Sequence, residues 1–380
     1  MKKKLLFFIT EDWYFCSHRL PIAIAACNNN FDVVVVTRVH KHADEIIKHG
    51  IKLIPLSIDR KGLNPSRDLF SFIKLIKIYI SERPDIVHHV AMKPIIYGTI
   101  AAFISGVPHV INAIAGMGYL FTSATTHVRI LQYIIKFIFK FILSLDNCKI
   151  IVQNYDDMRL LQDSCNIKRD NIVVIRGSGV DTNVFTYLPE ITGIITVILA
   201  SRMLWDKGIG EYIEAIKRLK ETAIKAHFIL AGDSDEHNPS AISRDQLQQW
   251  HNDGIIEWLG HVDNMQERFM QAHIVCLPTY REGLPKVLLE ASACGRPVIT
   301  TDVPGCREIV KHGKNGLLVP PKNVDALVEA LQILINDPQL RQELGKNARK
   351  IVLEEFTIER IISETISLYK HLISKNDKDK

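Results

Sequence analysis

The sequence predicts an α/β protein built from two Rossmann-like, doubly wound domains. Short runs rich in Val, Ile and Leu alternate with segments of helical periodicity along most of the 380 residues. The runs are continuously apolar, as expected for parallel strands that are buried on both faces. The chain is also longer than one average domain. Two parallel sheets with crossover helices account for these observations.

The predicted strands form two series along the chain. The first series is Leu5–Thr10, Asp32–Thr37, Lys52–Leu56, Asp85–Val90, His109–Ala113, Lys149–Asn154 and Ile172–Arg176. The second series is Ile195–Ser201, His227–Gly232, Ile255–Gly260, Ile274–Pro278, Pro297–Thr301 and Gly316–Val319. Helical periodicity then predicts helices over Val324–Ile335, Pro338–Glu354 and Ile358–Ser374.

The predicted domain boundary lies between Asp181 and Ile194, where turn-forming residues interrupt the apolar pattern. We therefore predict an N-terminal domain over residues 1–185 and a C-terminal domain over residues 186–355. Residues 356–380 are predicted to form a helix with a polar tail, and the helix is expected to pack back on the N-terminal domain.

The composition argues against several classes of protein. No apolar stretch reaches the ~20 residues of a spanning helix, so neither a membrane span nor a signal peptide is predicted. The seven cysteines are scattered and contain no CxxC pair. Neither a disulfide framework nor a zinc site is therefore expected, and a reducing cytoplasm is favoured.

The net charge of +5 and the isoelectric point near 8.7 make the chain mildly basic. This charge suits a phosphate-bearing ligand or an anionic membrane surface. The lysines are spread along the chain, and there is no zinc-finger spacing and no RNA-binding signature. Nucleic acid is therefore not a predicted partner.

Two glutamates, Glu282 and Glu290, flank a Gly-Leu-Pro turn directly after the predicted strand Ile274–Pro278. In open α/β sheets, ligands bind beyond the carboxyl ends of the strands. Carboxylates at such a place can accept hydrogen bonds from sugar hydroxyls. The alternative is that both glutamates are solvated charges at the end of a helix.

A helix is predicted to follow the turn. Pro285 suits its first turn, and Gly295 is a natural stop. The spacing of one buried helical face is found in Leu284, Val287, Leu288 and Ala291. The N–H groups at the start of such a helix can hold a phosphate. A sugar nucleotide has both the phosphates and the hydroxyls that this segment could bind.

A second strand exit contains two cations. The predicted strand Ile195–Ser201 is followed by Arg202, Lys207 and Gly208, and then by another predicted helix. Two cations at a strand exit suit a diphosphate. Taken alone, they could also be ordinary loop charges.

Both segments, on the second of two Rossmann-like halves, resemble glycosyltransferase family 4. This family has the GT-B fold, in which two Rossmann-like domains face a central cleft. The most specific part of the resemblance is the E-x7-E pattern from Glu282 to Glu290, followed by Ala293-Cys-Gly-Arg-Pro-Val-Ile. The resemblance implies transfer from a UDP-sugar with retention of the anomeric configuration, without a metal or another cofactor.

The resemblance also implies roles for individual residues of the first segment. Arg202 and Lys207 would contact the donor diphosphate and stabilise the leaving group, with Gly208 beside them.

In the second segment, Glu290 would bind the ribose, and Glu282 would lie at the donor sugar in a catalytic position. The backbone of Gly283 and Leu284 would lie near the phosphates, at the helix start marked by Pro285.

The N-terminal half resembles a narrower branch of the family, which builds lipid-linked glycans in bacteria. The branch includes the N-acetylgalactosaminyltransferase of bacterial N-glycan assembly, and its members extend a sugar on undecaprenyl diphosphate. The matching segments are Ser17-His-Arg-Leu-Pro, Gly62-Leu-Asn-Pro, Val90-Ala-Met-Lys-Pro and Ala115-Gly-Met-Gly-Tyr. The chain departs from many family members at Ala115, where they have a histidine. The usual catalytic histidine therefore cannot be assigned to that position.

His18 is the candidate for a catalytic or acceptor-side role, because it follows the first strand in a segment expected to face the cleft. Imidazole can take a proton near neutral pH or bind phosphate when charged. The alternative is a structural histidine that caps a helix over Leu20–Ala26. The strand-end histidines His88 and His89 are ranked below His18.

The segment Asp233-Ser-Asp235 is similar to the metal-binding D-x-D of another glycosyltransferase fold. Its position after the predicted strand His227–Gly232 favours a turn or a donor-site loop. No metal site is therefore predicted.

The sequence thus predicts a hexosyltransferase that extends an undecaprenyl-diphosphate-linked glycan in bacterial surface polysaccharide or glycoprotein assembly. Two alternatives remain open, which are a UDP-sugar 2-epimerase of similar architecture and a non-catalytic protein that binds sugar nucleotides. A NAD-dependent oxidoreductase is disfavoured because no G-x-G-x-x-G follows the first strand.

The apolar segment 128–143 contains Arg129, Lys136 and Lys140 near one helical flank, as an interfacial helix would. It predicts peripheral association with the inner face of the cell membrane through the N-terminal domain. A buried crossover helix is the alternative for this segment.

Overall fold

The computed structural model describes residues 2–58, 65–116, 135–145, 147–222, 224–235 and 238–376. The chain forms two compact units. The first unit comprises Met1–Ser178 and Glu359–Lys380, and the second comprises Gly179–Ile358. Each unit is built around one parallel β-sheet.

The sheet of the first unit has seven strands in the order β3-β2-β1-β4-β5-β6-β7. The strands are β1 Lys3–Glu11, β2 Phe31–Arg38, β3 Lys52–Pro55, β4 Ile86–Val90, β5 His109–Ile114, β6 Cys148–Val152 and β7 Ile172–Val174. The helices between them are α1 Asp12–His18, α2 Leu20–Asn28, α3 Ala43–Ile47, α4 Pro65–Glu82, α5 Met92–Ile104 and α6 Tyr155–Cys165. Residues 135–142 are also helical.

The sheet of the second unit has six strands in the order β10-β9-β8-β11-β12-β13. The strands are β8 Ile195–Ala200, β9 Ala226–Ala231, β10 Glu257–Trp258, β11 Ile274–Leu277, β12 Val298–Thr301 and β13 Gly316–Val319. The helices are α7 Ile209–Lys220, α8 Arg244–Asn252, α9 Met265–Gln271, α10 Lys286–Ala293, α11 Pro304–Ile309, α12 Val324–Asn336 and α13 Pro338–Glu355. The last helix, α14 Ile358–Asn376, packs on the first unit.

The α/β fold class with two parallel sheets is confirmed, and every predicted strand overlaps a strand of one of the sheets. Some observed strands end a few residues before their predicted ends, because the last predicted residues belong to the next element. Asn154, for example, was predicted to end a strand. It instead caps α6, where its side chain accepts a hydrogen bond of 2.7 Å from the backbone N–H of Asp157.

Both faces of each sheet are covered, which explains why the strands are continuously apolar. In β1, Leu6 and Phe8 belong to the core on one face, whereas Leu5, Phe7 and Ile9 belong to the core on the other. In the second unit, β8 divides its residues between two cores in the same alternating way. Successive side chains of a strand point to opposite faces, so a strand between two helical layers needs apolar residues at every position.

The strand order reverses once in each sheet. In the first unit β1 lies between β2 and β4, and in the second unit β8 lies between β9 and β11. The connections leaving the two central strands at such a reversal diverge to opposite faces of the sheet, which opens a crevice at the carboxyl ends. The polar residues that follow β8 and β11 therefore emerge at the edge where open α/β sheets bind ligands.

The connecting segment 181–194 is held on the second unit by three arginines. Arg341 is almost fully buried and pairs with Glu190 at 2.6 Å. Arg296 donates to the carbonyl of Leu188 at 2.8 Å, and Arg349 donates to the carbonyl of Phe185 at 2.7 Å. The bonds from Arg296 and Arg349 satisfy backbone carbonyls of a segment that has no regular structure of its own.

Buried histidines anchor β4 to its neighbours. His88 Nδ1 lies 2.6 Å from the hydroxyl of Tyr369 on α14. His89 lies 2.8 Å from the side-chain oxygen of Asn112 and 3.0 Å from the hydroxyl of Tyr79. Both rings are almost completely buried, and they hold polar contacts inside the core instead of facing a ligand.

These histidines predict acid sensitivity of the first unit. Burial lowers the pKa of His89 from 6.5 to about 4 and also lowers the pKa of His88. Between pH 6.5 and pH 4, the unfolded chain binds more protons at these histidines than the folded one. The free energy of unfolding therefore falls as pH decreases through this range. His89 alone should cost up to about 3 kcal/mol over this window. Urea unfolding at several pH values measures this loss, and NMR titration would contradict the assignment if folded His89 were protonated near pH 6.5.

Candidate functional site

Two neighbouring strands of the second sheet deliver the candidate site. β8 and β11 pair in parallel, with Val197 opposite Ile274 and Ile198 opposite Val275. The segment after β8 contains Arg202 and a short 3-10 turn that ends at Lys207. The segment after β11 leads to the E-x7-E pattern. Parallel pairing therefore places the two predicted segments beside each other at the carboxyl edge of the sheet.

Backbone contacts connect the two segments directly. The carbonyl of Asp206 accepts from the backbone N–H of Tyr280 at 2.9 Å and from the hydroxyl of Thr279 at 3.2 Å. Gly208 has φ +74°, and a Cβ atom there would lie 2.0 Å from the carbonyl oxygen of Pro278. Glycine is required because the backbone is left-handed at this position and the neighbouring loop is in contact with it.

The ammonium of Lys207 donates to the carboxylate of Glu282, and both side chains are only 16% exposed. The two residues are far apart in sequence, and their partnership was not evident from the motifs. Restricted exposure to water strengthens the electrostatic interaction of such a pair. The structure therefore brings a predicted phosphate-binding cation and a predicted sugar-binding carboxylate into direct contact.

Arg202 lies on the same strand-exit segment and is about half exposed. Its guanidinium donates to Asp235 at 3.0 Å, and Asp233 accepts from Arg244. The Asp-Ser-Asp segment forms a loop after β9, and both of its carboxylates pair with arginines. This arrangement agrees with the interpretation of the segment as a loop beside the strand exits.

α10 begins directly after the turn, with Pro285 at its N-cap position. The first N–H groups of a helix have no partner within it, and the positive end of the helix dipole favours an anion there. Leu288 and Ala291 are buried, and Leu284 and Val287 pack against the same core. The helix is therefore fixed by its apolar face while its N-terminus lies next to Glu282.

Glu290 lies one turn further along α10, and its side chain is 15% exposed. Burial raises its pKa above the ordinary value, and the nearby Lys286 ammonium, 3.5 Å away, opposes this shift. A carboxylate in such a place can accept hydrogen bonds from hydroxyl groups that replace its lost water.

The sequence reasoning missed Gly305, which lies in α11. A Cβ atom at this position would lie 2.4 Å from the carbonyl oxygen of Gly283 and 2.6 Å from that of Glu282. α11 therefore packs directly against the backbone of the turn between the two glutamates. In the sequence, Pro304 is followed by Gly-Cys-Arg. Nothing in this local pattern indicates that Gly305 contacts the turn.

Tyr280 is a second residue that the sequence reasoning missed. Its hydroxyl donates to Glu211 on α7 at 2.5 Å, and its ring lies 4.8 Å from the ammonium of Lys322. Burial and the neighbouring Glu211 carboxylate raise the pKa of this phenol. Tyr280 thereby attaches the exit of β11 to the helix that follows β8.

His18 belongs to the first unit and lies in the last turn of α1. Its ring stacks on Tyr14 with the ring centroids 4.2 Å apart. Arg19 occupies the N-cap position of α2, and its side chain makes no capping hydrogen bond. His18 follows β1, one of the two strands at the reversal point of the first sheet.

Parts of the N-terminal motifs lie outside the described residues. These parts are residues 62–64 of the Gly-Leu-Asn-Pro segment, residues 117–119 after Ala115, and residues 128–134 of the predicted interfacial helix. Ala115 itself directly follows β5.

Each unit is an α/β fold with one parallel sheet, and cations, carboxylates and a helix N-terminus lie at the strand reversal of the second sheet. Two such α/β units are the architecture of GT-B glycosyltransferases. The solved structure of HepE from Anabaena in complex with UDP has this fold. It matches with a TM-score of 0.76 at 18% identity, over 97% of this chain and 100% of that one.

Two family models match the chain. "Glycosyl transferase 4-like" matches residues 4–154, and "Glycosyl transferases group 1" matches residues 188–351. Together they span most of the sequence. The protein belongs to the glycosyltransferases, with a 4-like N-terminal domain and a group 1 C-terminal domain, which confirms the resemblance found in the sequence and the prediction of an enzyme.

Curated relatives match over nearly the full length. The N,N'-diacetylbacillosaminyl-diphospho-undecaprenol alpha-1,3-N-acetylgalactosaminyltransferase of Campylobacter jejuni is 29% identical over 93% of this chain and 95% of its own length. The UDP-Gal:alpha-D-GlcNAc-diphosphoundecaprenol alpha-1,3-galactosyltransferase of Escherichia coli is 22% identical over 91% of this chain and 90% of its own. Both relatives act on sugars linked to undecaprenyl diphosphate, as their names state.

A glycine-to-alanine pair tests the support of the turn. Gly305→Ala should destabilise the second unit by about 1–3 kcal/mol, because the new methyl group overlaps the carbonyls of the turn. Gly210→Ala is the matched control, since its Cβ would meet Trp205 at an ordinary 3.4 Å. This control, within α7, should be neutral or stabilising by up to about 1 kcal/mol. Urea unfolding compares the two variants, and equal stability would show that the turn does not rest on α11.

Proposed function

We propose that the protein is a retaining glycosyltransferase that moves a hexose or an N-acetylhexosamine from a UDP-sugar to a glycan carried on undecaprenyl diphosphate. One observation carries the donor half of the proposal. Two cations, two carboxylates and the start of α10 all follow β8 and β11, the neighbouring strands at the reversal point. A sugar nucleotide has the diphosphate and the hydroxyls that these groups bind.

The diphosphate is assigned to Arg202, Lys207 and the N-terminus of α10. An entering diphosphate would compete with Asp235 for Arg202 and with Glu282 for Lys207. When the bond between the anomeric carbon and the phosphate oxygen breaks, negative charge develops on UDP. Fixed positive groups stabilise that charge without reorganisation during the reaction. In this proposal they do so without a metal.

The sugar and the ribose are assigned to the two glutamates. Glu290 accepts hydrogen bonds from the ribose hydroxyls, and its partly desolvated carboxylate favours such donors. Displacing Lys207 from Glu282 would free this carboxylate to bind the transferred sugar. The names of both full-length relatives specify an alpha linkage, which is the product of retention from an alpha-linked UDP-sugar.

The acceptor is assigned to the first unit. Support comes from the two relatives, whose names specify a diphospho-undecaprenol acceptor and which match across both domains. His18 lies beyond β1 at the reversal point of the first sheet, where a polar ligand of that sheet would bind. It would accept the proton of the attacking hydroxyl or bind the acceptor diphosphate.

We further propose that the first unit contacts the membrane that carries the acceptor. Among the described helices, none combines the length and the apolar character that a membrane span requires. In the helical residues 135–142, Ile135 and Phe139 are buried in the core, whereas Phe137 and Phe141 are 64% and 61% exposed. Lys140 is exposed on the same stretch. One face thus packs as a crossover helix, while exposed aromatic rings next to a lysine suit an anionic lipid surface.

The proposed reaction is tested with a panel of UDP-sugars, each with and without undecaprenyl-diphosphate-linked acceptors, using product mass as the readout. Growth of the lipid-linked glycan by one sugar supports the proposal. Isomerisation of a UDP-sugar without acceptor, which leaves the mass unchanged and is detected by NMR, would identify an epimerase instead, and binding without turnover would identify a non-catalytic protein. His18→Ala in the same assay should retain UDP binding but lose turnover, and normal turnover would remove the assignment of His18.

Loss of either diphosphate-binding cation should reduce turnover strongly. Arg202→Ala and Lys207→Ala should each lower kcat by roughly 10²-fold or more, the scale seen for one preorganised stabilising group. Glu290→Ala should mainly weaken donor binding, as measured by calorimetry with UDP. EDTA should leave initial rates nearly unchanged. Near-normal rates in both cation variants, or strict dependence on Mn²⁺ or Mg²⁺, would show that the diphosphate binds elsewhere.

Membrane contact should depend on the exposed aromatic rings. A double variant, Phe137→Ser with Phe141→Ser, should float with anionic liposomes at least several-fold less than the unmodified protein. Ile194→Ser is the matched control, because Ile194 is 69% exposed but lies in the second unit. If both variants and the unmodified protein all remain in the soluble fraction, the protein does not bind lipid by this surface.

A further inference from the structure

Three residues with metal-binding side chains meet in the first unit, whereas the proposed donor site belongs to the second. They are Cys16 on α1, His42 directly before α3, and Glu45 on α3. The thiol sulfur, one imidazole nitrogen and one carboxylate oxygen all lie within 4.8 Å of one another. His42 Nδ1 is 3.1 Å from a carboxylate oxygen of Glu45. All three residues are half-buried, so an ion can reach them from water.

The combination of donors matches zinc better than other common ions. Zn²⁺ binds thiolate, imidazole and carboxylate in tetrahedral geometry, at about 2.3 Å for sulfur and about 2.0–2.2 Å for nitrogen and oxygen. Those lengths place the ligand atoms about 3.5 Å apart. The nitrogen and the oxygen, 3.1 Å apart, are within about 0.4 Å of this separation, and a rotation of the Cys16 side chain would bring the sulfur closer to them. Mg²⁺ and Ca²⁺ prefer sites made only of oxygen.

The backbone around the cluster is held in place by Asp12. Its carboxylate accepts from the backbone N–H of His40 at 2.6 Å and from that of His42 at 3.1 Å. Although burial opposes the shift, these bonds hold the pKa of Asp12 below its ordinary value. The segment that carries His42 is therefore fixed against the start of α1, the helix that carries Cys16.

Without a cation, the Cys16 thiol stays protonated at neutral pH. Burial and the neighbouring Glu45 raise the pKa of Cys16 to about 12. A bound metal ion reverses this effect, because a coordinating thiol loses its proton to solvent as the metal–sulfur bond forms.

We propose that Cys16, His42 and Glu45 bind a zinc ion, with water in the fourth position, and that this ion joins α1 to α3. The ion takes no part in stabilising the leaving group, since none of its ligands belongs to the segments after β8 and β11. It would hold the helix that ends at His18. The sequence did not indicate this site, because its ligands come from three separate positions and include no CxxC pair.

Zinc binding to the full-length, metal-stripped protein is measured by calorimetry and elemental analysis. One zinc per chain is expected, and free zinc at 100 times its Kd should raise the unfolding midpoint by roughly 5–10 °C. With Co²⁺ as the probe, a sulfur-to-cobalt charge-transfer band and the intense visible bands of tetrahedral cobalt are expected. Cys16→Ser should remove the charge-transfer band, and Cys16→Ser and His42→Ala should each weaken zinc binding by at least about 100-fold.

Matched controls separate this site from adventitious binding to other side chains. Cys27→Ser alters another half-buried thiol of the first unit, and His49→Ala alters an exposed imidazole just after α3. Both controls should bind zinc as the unmodified protein does. Zinc affinity that is unchanged in Cys16→Ser, or cobalt spectra without a sulfur band, would overturn the proposal. Circular dichroism at 20 °C confirms that each variant is folded before titration.

Discussion

The candidate donor site depends on the parallel pairing of β8 with β11. These strands are separated in the chain by β9 and β10, yet they are neighbours in the sheet because the strand order reverses between them. Their carboxyl ends therefore open at one place and on diverging connections. The contacts between the two strand-exit segments follow from this arrangement, including the bonds of the Asp206 carbonyl to the β11 exit and the close approach of Gly208 to Pro278.

Charge pairing is the second constraint on the site. Each predicted phosphate-binding cation has a carboxylate partner, Asp235 for Arg202 and Glu282 for Lys207. The Lys207 pair has little exposure to water, which strengthens its electrostatic attraction, whereas the Arg202 pair is more exposed. In the proposed function, a diphosphate would compete with these carboxylates for the two cations. Donor binding would then be linked to rearrangement of the carboxylates, because the group that displaces Lys207 also frees Glu282.

Buried polar groups join regions that the hydrophobic cores leave unspecified. Arg296, Arg341 and Arg349 bind the connecting segment to the second unit, and Tyr369 joins α14 to His88 in the first sheet. Apolar packing alone would tolerate shifts of these elements, whereas a buried hydrogen bond is lost when its partners move. The C-terminal helix is thereby assigned to the first unit, although it follows the second in sequence.

The sequence by itself determined the strands, the fold class and the main candidate residues of the donor site, because apolar periodicity and strand-exit motifs are local features. It placed Arg202, Lys207 and Glu282 on the segments that follow two strands and Glu290 on the next helix, and the structure has them at these positions. Only the tertiary structure decided which of these residues meet. The contact of Lys207 with Glu282, the support of the turn by Gly305, and the meeting of Cys16 with His42 and Glu45 all join distant positions. Such contacts depend on strand order and helix packing, which no local pattern encodes.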